Sequence, residues 1–524
     1  MTIRPDPAKI VVPRRQGEVL MEPSLCEMEA AAAHGAGGSE SRRRGREHLL
    51  AAAAQWRRII GADPPSGGAF DGPFILSGHQ VEFYHPGVWA KVIIADELAK
   101  RTGGMAFDLL VDHDTVDHLG FDVPRESAGG EWAKRMIEFA PASSLPADAL
   151  RAPGREQFEQ WEAALASFPS THTDTMAFWL GALAPGRETG DGGPAMGYSA
   201  WLSRARRRYE ASLGIQAQHV PTSLLCAGPL WREFVHTWIS HASDWTAAYN
   251  GHVEAYRRGK RIRSPNRPMP NLAREISGNG GTYELPFWIY APGSARQRLM
   301  VETGGGASRI LFQSERLGIG EVGAEDSGFV IRPRALTLTM YARLYFADFF
   351  IHGIGGALYD QITDGLLGEL FGDVPSYGCV SAAWLLPLGE PADPEDVSAL
   401  AHRRHHLEHN PQLALDAFTA GGPPAAVSGL LAERARLIEE IGRSLRGARR
   451  DRGEKLRRRG LFKQLHATNA DLHAQMPAIL RNLDHQLAAA RHAAAQNKIL
   501  QDREFFLGLH TTQSLRKLIR LLRG

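Results

Sequence analysis

Phe74-Ile-Leu-Ser-Gly-His-Gln-Val-Glu-Phe-Tyr-His-Pro-Gly-Val-Trp-Ala-Lys91 decides how the rest of this 524-residue chain is read. Phe74 to Leu76 form a short apolar run, which Ser77, Gly78, His79 and Gln80 break. Pro86-Gly87 opens a helix in which Val88, Val92, Ala95 and Leu98 recur at helical spacing. A second apolar run, Phe107-Asp-Leu-Leu-Val111, ends in Asp112-His113-Asp114, with Asp117 and His118 just beyond. Strand, helix and strand in that order predict an α/β fold with polar side chains at the carboxyl ends of both strands, the edge where open α/β sheets bind ligands. The helix start adds free N–H groups and a positive dipole end, suited to a phosphate or carboxylate.

The loop from Ser77 to Gly87 resembles the strand–loop–His-x-Gly–helix of the class I nucleotidyltransferase and aminoacyl-tRNA synthetase superfamily, in which this turn lets phosphates approach the helix. Val88 stands where the second His of His-x-Gly-His is usual. A Rossmann-like strand and helix with no nucleotide site accounts for a lone His-x-Gly equally well.

Size and composition set the frame. The chain is long enough for two to four domains. Its 60 basic residues nearly balance 58 acidic ones, so no charge excess points to nucleic acid or to a membrane surface. The basic run Ser41 to Arg46 reads as a solvated helix flank. No apolar stretch approaches a membrane span, and the first residues lack the apolar core of a signal peptide. Cys26, Cys226 and Cys379 are the only cysteines and are far apart, which predicts a cytoplasmic protein without disulfides.

Outward from the opening stretch, residues 1–70 read as a helical leader and 71–125 as the first half of the core. Residues 126–326 are rich in Gly, Pro and Trp and read as an insertion, with strands at 284–290, 298–302 and 308–312. Residues 327–390 return to core character: a strand at Phe329–Ile331, a buried helix over Leu336–Ile351, a glycine turn at His352–Gly356, a helix over Ala357–Phe371 and a strand at Val380–Leu386. After a linker (391–427), Leu431, Ala435, Ile438, Ile441 and Leu445, and then Leu472, Met476, Ile479, Leu483 and Leu487, predict an antiparallel helical hairpin over 428–496. Its polar turn is expected at 446–460 and a kink at Pro477, and 497–524 is expected to dock back as a helix.

This layout resembles the bacillithiol-biosynthesis cysteine-adding enzyme family. The resemblance runs from residue 74 to about 510 and rests on Ser77-Gly-His-Gln80, Tyr84-His-Pro-Gly-Val-Trp-Ala-Lys91, Asp112-His-Asp114, Arg332-Pro333, Gly353-Ile-Gly355 with Tyr359, and Leu500-Gln-Asp-Arg503. It implies a Rossmann-like nucleotidyltransferase-type core with a large insertion, a C-terminal coiled-coil hairpin that forms a homodimer, and a ligase that joins cysteine to an amine-bearing small molecule. The sequence departs from the family where His79 replaces a Gln, where Gly356 rather than a Glu follows Gly355, and where a Gln-Asp pair after Arg332-Pro333 is missing. A divergent relative acting on another amine or carboxylate is the expectation, with ATP or ADP as the open question of cofactor. The alternative is a nucleotide- or metabolite-binding protein of the same fold without ligase activity.

The candidate catalytic groups are His79, His85, Asp112, His113 and Asp114, because imidazole and carboxylate at a strand end can take a proton from an amine. A helix cap or a capped strand end is the competing explanation. Ser77, Gly78, Gln80, Gly87, Lys91, Arg332, His352, Gly353, Gly355, Gly356 and Tyr359 are the candidate substrate and anion contacts. Asp360 and Asp364 are expected to be solvated, and Arg343 to pair with Asp348. His402, His405, His406 and His409 share helical spacing and read as a solvated face rather than a zinc site; no metal is assigned. Arg204, Arg206, Arg207 and Arg208 offer only a weak suggestion of an RNA-facing patch, and no nucleic-acid partner is expected.

Overall fold

A computed structural model of the chain describes residues 2–35, 39–65, 72–185, 196–277, 280–313, 315–322, 328–393, 396–411, 424–475 apart from 447–451, and 477–524. The protein is a mixed α/β structure in two compact units: residues 1–127, 133–386 and 502–524 make the first, and 128–132 and 387–501 the second.

In chain order the first unit opens with β1 (Val19–Glu22), α1 (Leu25–Gly35) and α2 (Glu40–Ile60). Then come β2 (Phe74–Gln80), α3 (Pro86–Thr102), β3 (Met105–Val111), β4 (Leu119–Glu126), β5 (Trp132–Ala140), α4 (Arg155–Ala166), α5 (Asp174–Leu183) and α6 (Tyr198–Ser212). There follow β6 (Gln218–Pro221), α7 (Thr222–Leu225), α8 (Gly228–Ser240) and α9 (Ala242–Gly259). The strands β7 (Arg274–Ser277), β8 (Gly280–Tyr290), β9 (Gln297–Gly304), β10 (Ala307–Phe312), β11 (Glu315–Gly318) and β12 (Val330–Pro333) come next. The remainder of this run is α10 (Ala335–Tyr345), β13 (Phe349–His352), α11 (Ile354–Phe371) and β14 (Tyr377–Ala382). The second unit holds α12 (Val397–His409), α13 (Ala425–Arg446), α14 (Arg452–Ala474) and α15 (Pro477–Leu500), and α16 (Thr512–Arg523) returns to the first.

Six strands form the central sheet in the order β1-β14-β13-β2-β3-β6. All neighbours from β14 to β6 are parallel, and β1 closes one edge antiparallel to β14. From β2 the chain moves to β3 and β6 on one side and only later adds β13 and β14 on the other. Strand order therefore reverses between β2 and β13, which opens a crevice at their carboxyl ends. Helix α3 starts on Pro86 after an N-cap at His85 and stops at Gly103 in the left-handed conformation, where a missing Cβ removes the steric cost. Trp89, Ile93 and Ile94 are buried along with the expected Val92, Ala95 and Leu98, because β2, β3 and β14 cover one side of α3 while α1 and α16 cover the other.

Several expectations need correction. The apolar run read as one helix over Leu336–Ile351 is α10 followed by β13, a central strand of the sheet. A continuous apolar run does not separate buried helix from buried strand, and Phe349-Phe-Ile351 is strand-prone. The strand at Phe329–Ile331 is part of β12, which pairs antiparallel with β8 in a second sheet of order β11-β10-β9-β8-β12, so it is not part of the central one. In exchange, β6 of the inserted region joins the central sheet beside β3. The hairpin expected to pair the 431–445 stripe with the 472–487 stripe is divided differently: Arg434–Asn469 and Ser444–Glu454 contacts show α13 running antiparallel to α14, while Leu483 and Leu487 lie on α15 and pack with Leu400 and Leu407 of α12. The segment expected as a polar turn over 446–460 is already helical from Arg452, and Pro477 begins α15 instead of kinking a helix, as proline suits a first turn. Among the described residues no helix is long and apolar enough to cross a membrane.

Candidate functional site

The crevice at the β2–β13 reversal is a cleft of about 680 Å3 in the first unit. Its floor comes from the ends of β2 and β3, with Gly78, His79, Gln80, His113 and Asp114. The starts of three helices open on it: His85, Gly87 and Val88 of α3; Arg334 and Ala335 of α10; and Gly353, Ile354, Gly355 and Gly356 of α11. Each helix start presents N–H groups without intrahelical acceptors and a positive dipole end. Lys91, Arg296, Arg334 and Arg503 line the same space, against Asp114 and Glu504 as its acids. Anions are the ligands such a field attracts.

Most of the candidate residues named from sequence lie on this cleft, but several are already engaged. His85 Nδ1 accepts from the Gly87 N–H at 3.1 Å, capping α3. Burial, with the nearby charges of Arg503, His79 and Lys91, drives its pKa down to about 3, so the ring is neutral. His113 Nε2 donates to the Pro333 carbonyl at 3.0 Å, and Nδ1 lies 2.7 Å from Thr222 Oγ1. Burial and Arg332 lower its pKa to about 3 as well. Asp114 accepts from Gln80 Nε2 at 2.8 Å and lies 2.5 Å from Arg296 Nη1, tying β2, β3 and the inserted region together. His79 is the freer imidazole: Nδ1 lies 3.0 Å from Glu82 Oε1 but without the angle a hydrogen bond needs.

Lys91 is nearly inaccessible and donates to the Gly78 carbonyl at 2.7 Å. Burial lowers its pKa to about 8, partly offset by Asp108. Tyr359 lines the rim, 40% exposed. His352 also lines the cleft, with Nε2 3.0 Å from Asp360 Oδ2.

Three candidates do not line it. Ser77 Oγ donates to Asp108 Oδ1 at 2.8 Å, below the floor. Asp112 is buried and accepts from the Ser223 N–H at 2.8 Å and from Thr222 Oγ1 at 3.0 Å, which secures the start of α7. Its pKa is raised by burial. Arg332 Nη1 donates to the Cys226 and Ile331 carbonyls. His118 does not line the cleft either and lies 3.6 Å from Glu138.

Two pairings differ from expectation. Arg343 meets Asp360 and Asp364 rather than Asp348, and both acids are buried, not solvated. Asp348 instead meets Arg42 and Arg46 of α2 and accepts from the Phe74 N–H at 2.7 Å. Arg206, one of the arginines weighed as a surface patch, is buried 2.6 Å from Asp108. The inserted region also contributes residues that no motif signalled. The rim carries Trp288 with Arg334 4.3 Å and Arg296 4.9 Å over its ring, and Arg334 lies 2.8 Å from Glu284. Arg503 donates to Ser381 Oγ at 3.0 Å, and its place after Leu500-Gln-Asp was the one sequence signal for it.

Among the described residues no three His, Cys, Asp or Glu side chains converge as a metal site would require. Compared with known proteins, the chain matches no family model and no curated sequence.

Proposed function

We propose that the protein is a ligase-like enzyme that forms a carbon–nitrogen bond, holding an anionic small molecule in the cleft at the β2–β13 reversal. The observation that carries this reading is the convergence of three helix starts with Lys91, Arg296, Arg334 and Arg503 on one space. A carboxylate or phosphate held there is polarised by N–H groups, and a neutral imidazole beside it can take a proton from an attacking amine. The order of Ser77–Gln80, Tyr84–Lys91, Asp112–Asp114 and Gly353–Gly355 supports a divergent member of the cysteine-adding enzymes with a Rossmann-like core, cysteine or a similar amino acid as one substrate, and ATP or ADP as the phosphate donor or its product. In the same reading two copies pair through α13 and α14, whose Ile438, Leu445, Leu456 and Phe462 are exposed.

A second reading has one specific support. His85, His113 and Asp112 each spend their polar atoms on the fold, as a metabolite-binding protein without turnover would permit. Mass spectrometry of small molecules carried through purification, beside thermal shifts with ATP, ADP and cysteine, separates the two. An amino acid conjugate made from added cysteine supports the ligase; a tightly held nucleotide that is never consumed supports the binder.

A further inference from the structure

His352 closes the carboxyl end of β13, lines the cleft and is 7% exposed. Its Nε2 lies 3.0 Å from Oδ2 of Asp360, a carboxylate 2% exposed on the next helix. Asp360 is held in turn by Arg343, which also meets Asp364 at 2.7 Å, and Arg4 reaches Asp364 at 3.1 Å. Burial alone would raise the Asp360 pKa, but Arg343 and His352 outweigh it and hold it at about 2. The carboxylate is therefore ionised throughout the physiological range. Phe350, 4.5 Å between ring centroids, and Tyr377, edge-on at 5.3 Å, fix the plane of the imidazole.

A carboxylate against Nε2 selects the tautomer with its proton there and leaves the lone pair on Nδ1. Nδ1 is turned to the first turn of α11. A Cβ at Gly356 would lie 2.7 Å from it, so only glycine leaves the ring in place. Nδ1 thus lies beside Gly356 in the first turn of α11, and both residues line the cleft. The charged and titratable groups around it are Asp360 and Asp364 of α11, Arg343 of α10, Tyr377 of β14, Arg4 of the N-terminal segment, and Lys91 of α3, whose stem approaches Gly353.

We propose that His352 is the general base of the cleft and that Asp360 is the positioning residue that aims it. The inference rests on the ligase reading and deepens it. An ammonium ligand gives one N–H proton to the Nδ1 lone pair and keeps the electron pair of the broken bond, becoming the neutral amine, the nucleophilic form. The imidazolium is faced by Asp360 and returns the proton to water. The arrangement follows the logic of a base oriented by a buried acid.

Carbethoxylation by diethyl pyrocarbonate, mapped by mass spectrometry across pH, tests this on the intact protein. His352 is expected to react, and to be labelled several-fold faster at mildly acidic pH in Asp360→Asn, because the carboxylate that holds its Nε2 proton and faces the charged ring is gone. Labelling of His79 in the same samples is expected to match the wild type. An unreactive His352 beside a reactive His79, or a labelling rate unmoved by Asp360→Asn, overturns the proposal. If Asp360→Asn does not fold, Gly356→Ala asks the same question: a methyl against Nδ1 should suppress labelling of His352, and undiminished labelling overturns it. Binding of inorganic phosphate measured on the same samples separates the two claims. The expected His352 labelling without phosphate binding supports the oriented base and contradicts the anion site.

Discussion

Arg206 Nη2 lies 2.6 Å from Asp108 Oδ2, and the two side chains are 4% and 0% exposed. The pair sits under the cleft floor, where Ser77 and Tyr84 also donate to Asp108. Burial would raise the Asp108 pKa, but Arg206, His219 and Lys91 together hold it below the usual range. Arg206→Met should deprive the buried Asp108 carboxylate of its nearest cation and cost up to about 3–5 kcal/mol. The double variant Asp108→Asn/Arg206→Met should recover part of that loss. Thermal unfolding checks this; a single variant that melts with the wild type would contradict it.

Acid stability follows from His85 and His113, each with a folded-state pKa of about 3. Between about pH 6.5 and 3 the unfolded chain binds a proton that each folded ring refuses, so stability is lost as pH falls through that window. Each ring can add up to about 1.4 kcal/mol per pH unit to the slope. His113→Asn, which keeps a donor and an acceptor without titrating, should make the fall in Tm between pH 6.5 and 5 shallower. Identical slopes would remove His113 from the account.

Lys91 gives the opposite end of the pH range. With its pKa lowered to about 8, the buried ammonium is present below that pH and lost above it. Anion affinity should therefore weaken as pH rises from 7 to 9. Because the unfolded lysine still holds its proton up to about pH 10.4, stability itself should rise slightly over the same interval. Calorimetric titration with inorganic phosphate should show the weakening in the wild type and a flatter profile in Lys91→Met. A wild-type affinity that does not change with pH would contradict the role given to this amine.

The Phe74–Lys91 stretch was legible because each signal is local: an apolar run, a glycine break, Pro86 at a helix start. The strands at 284–290, 298–302 and 308–312 fall within β8, β9 and β10 for the same reason. Placement of His79, His352 and Gly353 around one cleft followed from strand ends and helix starts. What was not legible is long-range pairing. Nothing near Arg343 in sequence announces Asp360 and Asp364 as its partners, nor Arg206 as that of Asp108, 98 positions away. The short β6, Gln218–Pro221, carries no alternating pattern, and β13 was hidden in an apolar run that reads equally as helix.

Pairing of two copies through α13 and α14 predicts twice the 57.4 kDa chain mass by light scattering at micromolar concentration. Leu456→Glu with Phe462→Glu should return the mass to one chain, since both are exposed and a charge there opposes apolar contact. A wild-type protein of single-chain mass would refute the pairing and leave the cleft untouched.

The central claim is that the reversal between β2 and β13 binds an anion. A crystal structure of the protein grown with ADP tests it most directly. The account predicts a phosphate on the N–H groups of Ile354, Gly355 and Gly356 or at the start of α3, within reach of Lys91 or Arg503. Nucleotide bound only outside the residues that line this cleft, with the cleft itself holding water, would contradict it.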